Sequence, residues 1–162
     1  MQYDFEQLVA KAGSYGGQGV DTLVGPVHGE LELTPLRSRR AVMVRFSAFR
    51  VDGTKVHDQL GWIAPDDEGD AVSMWSIVDE GRGLRKFARR FDADVVGSDH
   101  TLAFACGDPQ DPSQWRAETA LDLYGDGSIG MRLRWGRPGE PGATHAIVRM
   151  SATFTPPEPA PF

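Results

Sequence analysis

A chain of 162 residues with 40% apolar and 25% charged residues can bury one core of its own without staples. Its formal net charge of −6 argues against nucleic acid as a partner, because phosphate binding needs a basic footprint. The single cysteine, Cys106, excludes an internal disulfide framework and suits a reducing, cytoplasmic compartment; with no membrane-length apolar run and no secretory signal, no membrane partner is expected.

Residues 3–12 place Phe5, Leu8, Val9 and Ala12 on one side of a short helix that Gly13 stops. The stretch Gly13-Ser-Tyr-Gly-Gly-Gln-Gly19 is glycine-rich, yet no helix follows it, so a dinucleotide loop is a poor reading. A strand lying close against another backbone accounts for it better. The period then switches to two. Val27, Gly29, Leu31 and Leu33 alternate with His28, Glu30 and Glu32, and Met131, Leu133 and Trp135 alternate with Arg132 and Arg134. Strands are expected near 14–21, 27–34, 40–50, 54–64, 71–78, 83–91, 94–97, 101–106, 115–124 and 128–136, with a further candidate at 143–154. The segments 83–91 and 94–97 are either two strands or one bent strand.

Turn chemistry agrees with this. Val51-Asp-Gly-Thr54 and Tyr124-Gly-Asp-Gly-Ser128 carry the Asp-Gly pair that permits positive φ in hairpin loops. Hairpin follows hairpin with no crossover helix, and a meander this long removes its edges by closing. The expected class is all-β: a single antiparallel up-and-down barrel of about ten strands after a short N-terminal helix. It occupies residues 1–155, with a Pro-rich tail over 156–162. A closed barrel of this size is expected to hold a small hydrophobic ligand inside.

No nucleophile elbow, phosphate loop, zinc-protease helix or cysteine pair is present. Cys106, within an apolar run, reads as a buried small hydrophobe. The basic run Arg82, Arg85, Lys86, Arg89 and Arg90 reads as a solvated strand face, with a rim that attracts an anionic ligand as the other reading. Of the four histidines, His28 and His100 are expected to face solvent. His57 shares a face with Gln59, Gly61 and Ile63, while Val56, Leu60 and Trp62 take the other, and periodicity does not say which is interior. His145 opens the last strand. Its face continues through Ile147, Arg149 and Ser151, and patterning alone puts that wetter face outside.

The run Asp52-Gly-Thr-Lys-Val-His-Asp-Gln-Leu-Gly-Trp62 resembles a strand pair of the nitrobindin family, haem-binding barrels of the calycin and fatty-acid-binding-protein type. A second similarity is Trp135-Gly-Arg-Pro-Gly-Glu-Pro-Gly-Ala-Thr-His145: in that family a hydrophobic residue, commonly Met, stands ten positions before the histidine that ligates haem iron. A third is Gly13–Gly19 against a Gly-x-Trp-x-Gly-x-Gly strand, with Tyr15 where the family has Trp. The resemblance implies ferric haem b held by His145, with His57 and Trp135 lining the pocket and a peroxynitrite isomerase-like action on nitric oxide or peroxynitrite. The alternative is a carrier of a fatty acid or similar amphiphile, in which an interior Arg149 would pair with the carboxylate head group.

Overall fold

A computed structural model describes residues 2–66, 71–79, 83–90, 97–108, 110–141 and 143–154. One helix, α1 (Gln2–Ala10), precedes β1 (Gly13–Asp21), β2 (Gly25–Pro35), β3 (Val42–Arg50), β4 (Lys55–Pro65) and β5 (Val72–Val78). The chain continues through β6 (Arg85–Arg90), β7 (His100–Cys106), β8 (Arg116–Leu123), β9 (Ile129–Gly136) and β10 (Ala143–Phe154). Each strand pairs antiparallel with the next, and β10 returns to β1, so these ten strands close into one barrel. The expected meander is thus the observed one. Of the expected strand at 94–97, only Gly97 falls within the described residues, and the tail at 156–162 lies outside them.

The alternation read from sequence becomes the wall of the barrel. In β2, Val27, Gly29, Leu31 and Leu33 are buried, while His28, Glu30 and Glu32 are exposed. Their inner face meets Val44 and Phe46 of β3, and Phe87, Phe104, Met131 and Val148 fill the centre. Both Asp-Gly turns take the left-handed glycine they call for, with φ of 85° at Gly53 and 86° at Gly127.

The closing seam explains the glycine-rich β1. A Cβ on Gly17 would overlap the Arg149 carbonyl and stand 2.6 Å from the Met150 Cα, and Gly19 meets Ile147 and Val148 in the same way. The helix then covers one end. Phe5 and Leu8 join the core, Lys11 Nζ donates to the Tyr124 carbonyl (3.4 Å) and the Tyr15 hydroxyl donates to the Lys11 carbonyl (2.8 Å). The opposite end, where the β3–β4, β5–β6, β7–β8 and β9–β10 connections lie, is the mouth that holds the candidate site. No helix among the described residues is long and apolar enough to cross a membrane.

Candidate functional site

β4 presents its polar residues inward. His57 and Gln59 are 6% and 1% exposed, whereas Leu60 and Trp62 are 44% and 38% exposed on the outer wall. The neighbouring strand imposes this parity. His57 lies opposite Ala48, Gln59 opposite Phe46 and Ile63 opposite Val42, and a register partner shares its neighbour's face. Because β3 commits Val42, Val44, Phe46 and Ala48 to the core, β4 has no choice.

Gln59 bridges the lumen. Its Nε2 donates to Ser76 Oγ on β5 (3.0 Å) and to Thr119 Oγ1 on β8 (3.1 Å), two strands that are not neighbours in the barrel. Buried amides of this kind cost stability unless paired, and here the pairs are made. Above this bridge, toward the mouth, His57, Gln59, Trp115, Thr119, Leu133 and Trp135 line a cleft of about 260 Å³, counting its opening. The Trp115 ring meets Phe87 edge-on at 6.5 Å between centroids.

Met131 and Leu133 point inward as expected, and Trp135 follows them at the mouth, half-buried. His145 takes a third position that neither reading of its strand offered. Thr144 pairs with Arg134 and Ala146 with Leu133, which leaves His145 as the extra residue of a β-bulge. Beyond the bulge, Ala146, Val148 and Met150 face the core and Ile147 faces solvent. The His145 ring lies on Trp135, centroids 4.2 Å apart and planes 20° apart. Its Nε2 is 2.7 Å from the Trp135 carbonyl. A carbonyl only accepts, so Nε2 carries the proton and Nδ1 the lone pair. Nδ1 is buried and has no hydrogen-bond partner among the described residues.

Arg149 corrects the carrier expectation. Its side chain is 54% exposed, pairs with Asp126 at 3.0 Å, donates from Nε to Ser128 Oγ (3.0 Å) and lies 3.8 Å from the Tyr124 ring centroid. The bulge separates the parity of His145 from that of Arg149, so the interior guanidinium of that reading is absent and Arg149 sits at the helix-covered end. The Ser128 hydroxyl, and to a lesser extent Arg149, hold the Asp126 carboxyl below the usual carboxylate range.

Of the remaining candidates, His28 faces solvent beside Glu30 (3.9 Å) as expected. His100 departs from expectation: it begins β7, half-buried. Cys106 is half-buried and packs against the core. Sequence reasoning assigned no role to Gln59, Trp115 or Thr119. The available signals were the shared face of His57 and Gln59 and the alternation that sets Trp115 and Thr119 on one face of their segment.

No protein-family profile matches the chain, and no curated protein matches it. Among solved structures, the crystal structure of Rv2717c from M. tuberculosis is similar, with a TM-score of 0.62 and 13% sequence identity. The match covers 92% of this chain and 97% of that one. At that identity the likeness shows the fold.

Proposed function

We propose that the protein binds a small, largely apolar ligand at the open mouth of the barrel. One observation carries the reading: the inner wall of β4 holds His57 and Gln59 where apolar side chains would pack at no desolvation cost. Both border a cleft walled by two indoles. Convergent polar groups in an aromatic recess are the usual make-up of a small-molecule site.

Haem is the occupant named by the nitrobindin resemblance, and His145 is the residue that would hold its iron. The imidazole has the protonation an axial ligand needs, one nitrogen donating to a backbone carbonyl and the other holding a lone pair. Its surroundings do not fit. The ring is covered by Trp135, Nδ1 is enclosed, and His145 is not among the residues that line the cleft. No chemistry of nitric oxide or peroxynitrite is therefore built on these residues.

Two titrations test the reading. A screen of single-ring apolar ligands, followed by His57 ring signals and indole fluorescence, is expected to give saturable shifts. Hemin added to the wild type is expected to give no sharp stoichiometric Soret band, while Trp135→Met, which uncovers His145, gains one. A saturable wild-type Soret band that His145→Ala abolishes would replace this reading with the haem one. Silence in both titrations would overturn the ligand-binding reading itself.

A further inference from the structure

The basic run on β6 is not a uniform solvated face. Lys86 pairs with Asp66 (2.9 Å), Arg90 pairs with Glu118 (3.0 Å), and Arg89 donates to the Thr101 carbonyl (2.8 Å) and the Ala103 carbonyl (3.2 Å). Arg85 differs from all three. Among the described residues its guanidinium meets no carboxylate and no carbonyl, and its Nε is buried without a hydrogen-bond partner. It does lie over the Trp115 ring, 5.0 Å from guanidinium carbon to ring centroid.

The strand register places Arg85 on the inner side. Its partner on β5 is Ser76, which receives the Gln59 amide, and Phe87 two residues on is in the core. Arg85 therefore stands beside the cleft, stacked on one of its walls. Trp115 adds a second unused donor, since its indole N–H is buried with no partner among the described residues.

Two more arginines stand at the mouth. Arg137 lies 5.4 Å from the centroid of Trp135, the other aromatic wall, with no carboxylate paired to its guanidinium among the described residues. Arg116 is buried and donates to the backbone carbonyls of Gln114, Arg137 and Glu140. Glu118 borders the cleft, but Arg90 already holds it. Arg85 and Arg137 thus stand at this opening with no carboxylate on their guanidinium groups among the described residues, while Asp79, Asp108, Asp111 and Glu140 lie in the connections around it.

From this we infer that the ligand of the mouth cleft is a small flat anion, an aromatic carboxylate, and that Arg85 and Trp115 read its charged group. The inference rests on the proposed ligand-binding reading and names its ligand class. A half-buried guanidinium lacking an anion is under-satisfied, and a carboxylate meets its planar fork with two parallel bonds. The Trp115 N–H, on the ring that Arg85 covers, is a further unpaired donor next to that fork. A flat ring suits a recess with indole walls.

Calorimetric titration with 4-ethylbenzoate and its neutral counterpart 4-ethylbenzamide tests this on the full chain. The carboxylate is expected to bind at least about tenfold more tightly, with an advantage that shrinks as salt rises. Arg85→Gln should erase the preference, Arg85→Lys should keep part of it, and Trp115→Phe should weaken the carboxylate more than the amide. Arg149→Gln, at the far end of the barrel, should change neither. Equal binding of acid and amide by the wild type, or a full preference in folded Arg85→Gln, overturns the anion while leaving the cleft as a binding site. If neither compound binds and the apolar screen is also silent, the ligand-binding reading has failed first.

Discussion

Replacing Gln59 by Leu separates the two reasons a barrel might keep an amide in its lumen, stability or binding. The wild-type side chain donates two neutral hydrogen bonds, to Ser76 and Thr119. At about 0.5–1.5 kcal/mol each, their loss removes about 1–3 kcal/mol. A buried leucine returns about 1.5–3 kcal/mol of apolar burial in nearly the same volume. Ser76 keeps the Leu60 carbonyl at 3.2 Å, so the hydroxyl left short is that of Thr119. The terms nearly cancel, and Gln59→Leu should lie within about 2 kcal/mol of the wild type, or less than about 8 °C in Tm for a chain of this size. Gln59→Ala loses the same bonds and also opens a cavity, for a cost of about 2–5 kcal/mol. Thermal melts of the three proteins give the comparison, and the apolar-ligand titration is run on the same samples. The expected pattern is a stable Gln59→Leu that binds at least about tenfold more weakly, because the amide then serves the cleft. If Gln59→Leu melts as low as Gln59→Ala, the hydrogen-bonded bridge is structural and the argument from a polar interior collapses.

Two further outcomes follow from the same geometry. Gly17→Ala would drive a methyl group into the Arg149 carbonyl across the barrel seam and should cost about 3 kcal/mol or more in denaturant unfolding; Gly16→Ala, which meets the movable Thr153 Cγ2 at 3.1 Å, should cost about 1 kcal/mol or less. Asp58 accepts from the Ser47 hydroxyl (2.6 Å) and from Lys55 Nζ (3.0 Å), and these bonds, Ser47 first, hold its carboxyl below the ordinary 3.8. A depressed carboxyl stabilises the folded state fully above its unfolded value and loses that contribution as pH falls through the folded one. The Tm gap between wild type and Asp58→Asn should therefore be largest well above the ordinary 3.8 and shrink as pH falls below it, and a gap that widens with acid would refute the assignment.

The barrel was legible because its information is local. Alternation in 27–33 and 129–135 and the Asp-Gly turns at 52–53 and 126–127 each state a strand or hairpin within a few residues. The site was less legible because it depends on register. Nothing within 55–65 says that His57 faces in. The statement is made by Val42, Val44, Phe46 and Ala48 on the neighbouring strand, through pairing that a single segment does not contain. Trp115 and Thr119 join His57 only because β8 crosses the lumen from β4, a relation that appears once the barrel is closed.

His145 shows a different limit. Strand parity is a rule of period two, and a β-bulge breaks it by inserting one residue without any mark in hydropathy. A reading that counts back from Ala146, Val148 and Met150 puts His145 outside, and one that counts it inside carries Arg149 with it. The bulge makes both counts wrong for His145, which folds onto Trp135, while the first count leaves Arg149 outside, where it is found. The residue at 135 then decides what the histidine can do. A thioether there would lie along the wall and leave the imidazole uncovered, whereas an indole presents a face that the imidazole stacks on and a carbonyl that fixes its proton on Nε2. The ten-residue spacing between 135 and 145 carried the resemblance to a haem ligand, but spacing fixes only which residues meet. In this chain His145 stacks on Trp135 with its Nδ1 buried and without a hydrogen-bond partner among the described residues, and the same indole becomes a wall of the cleft.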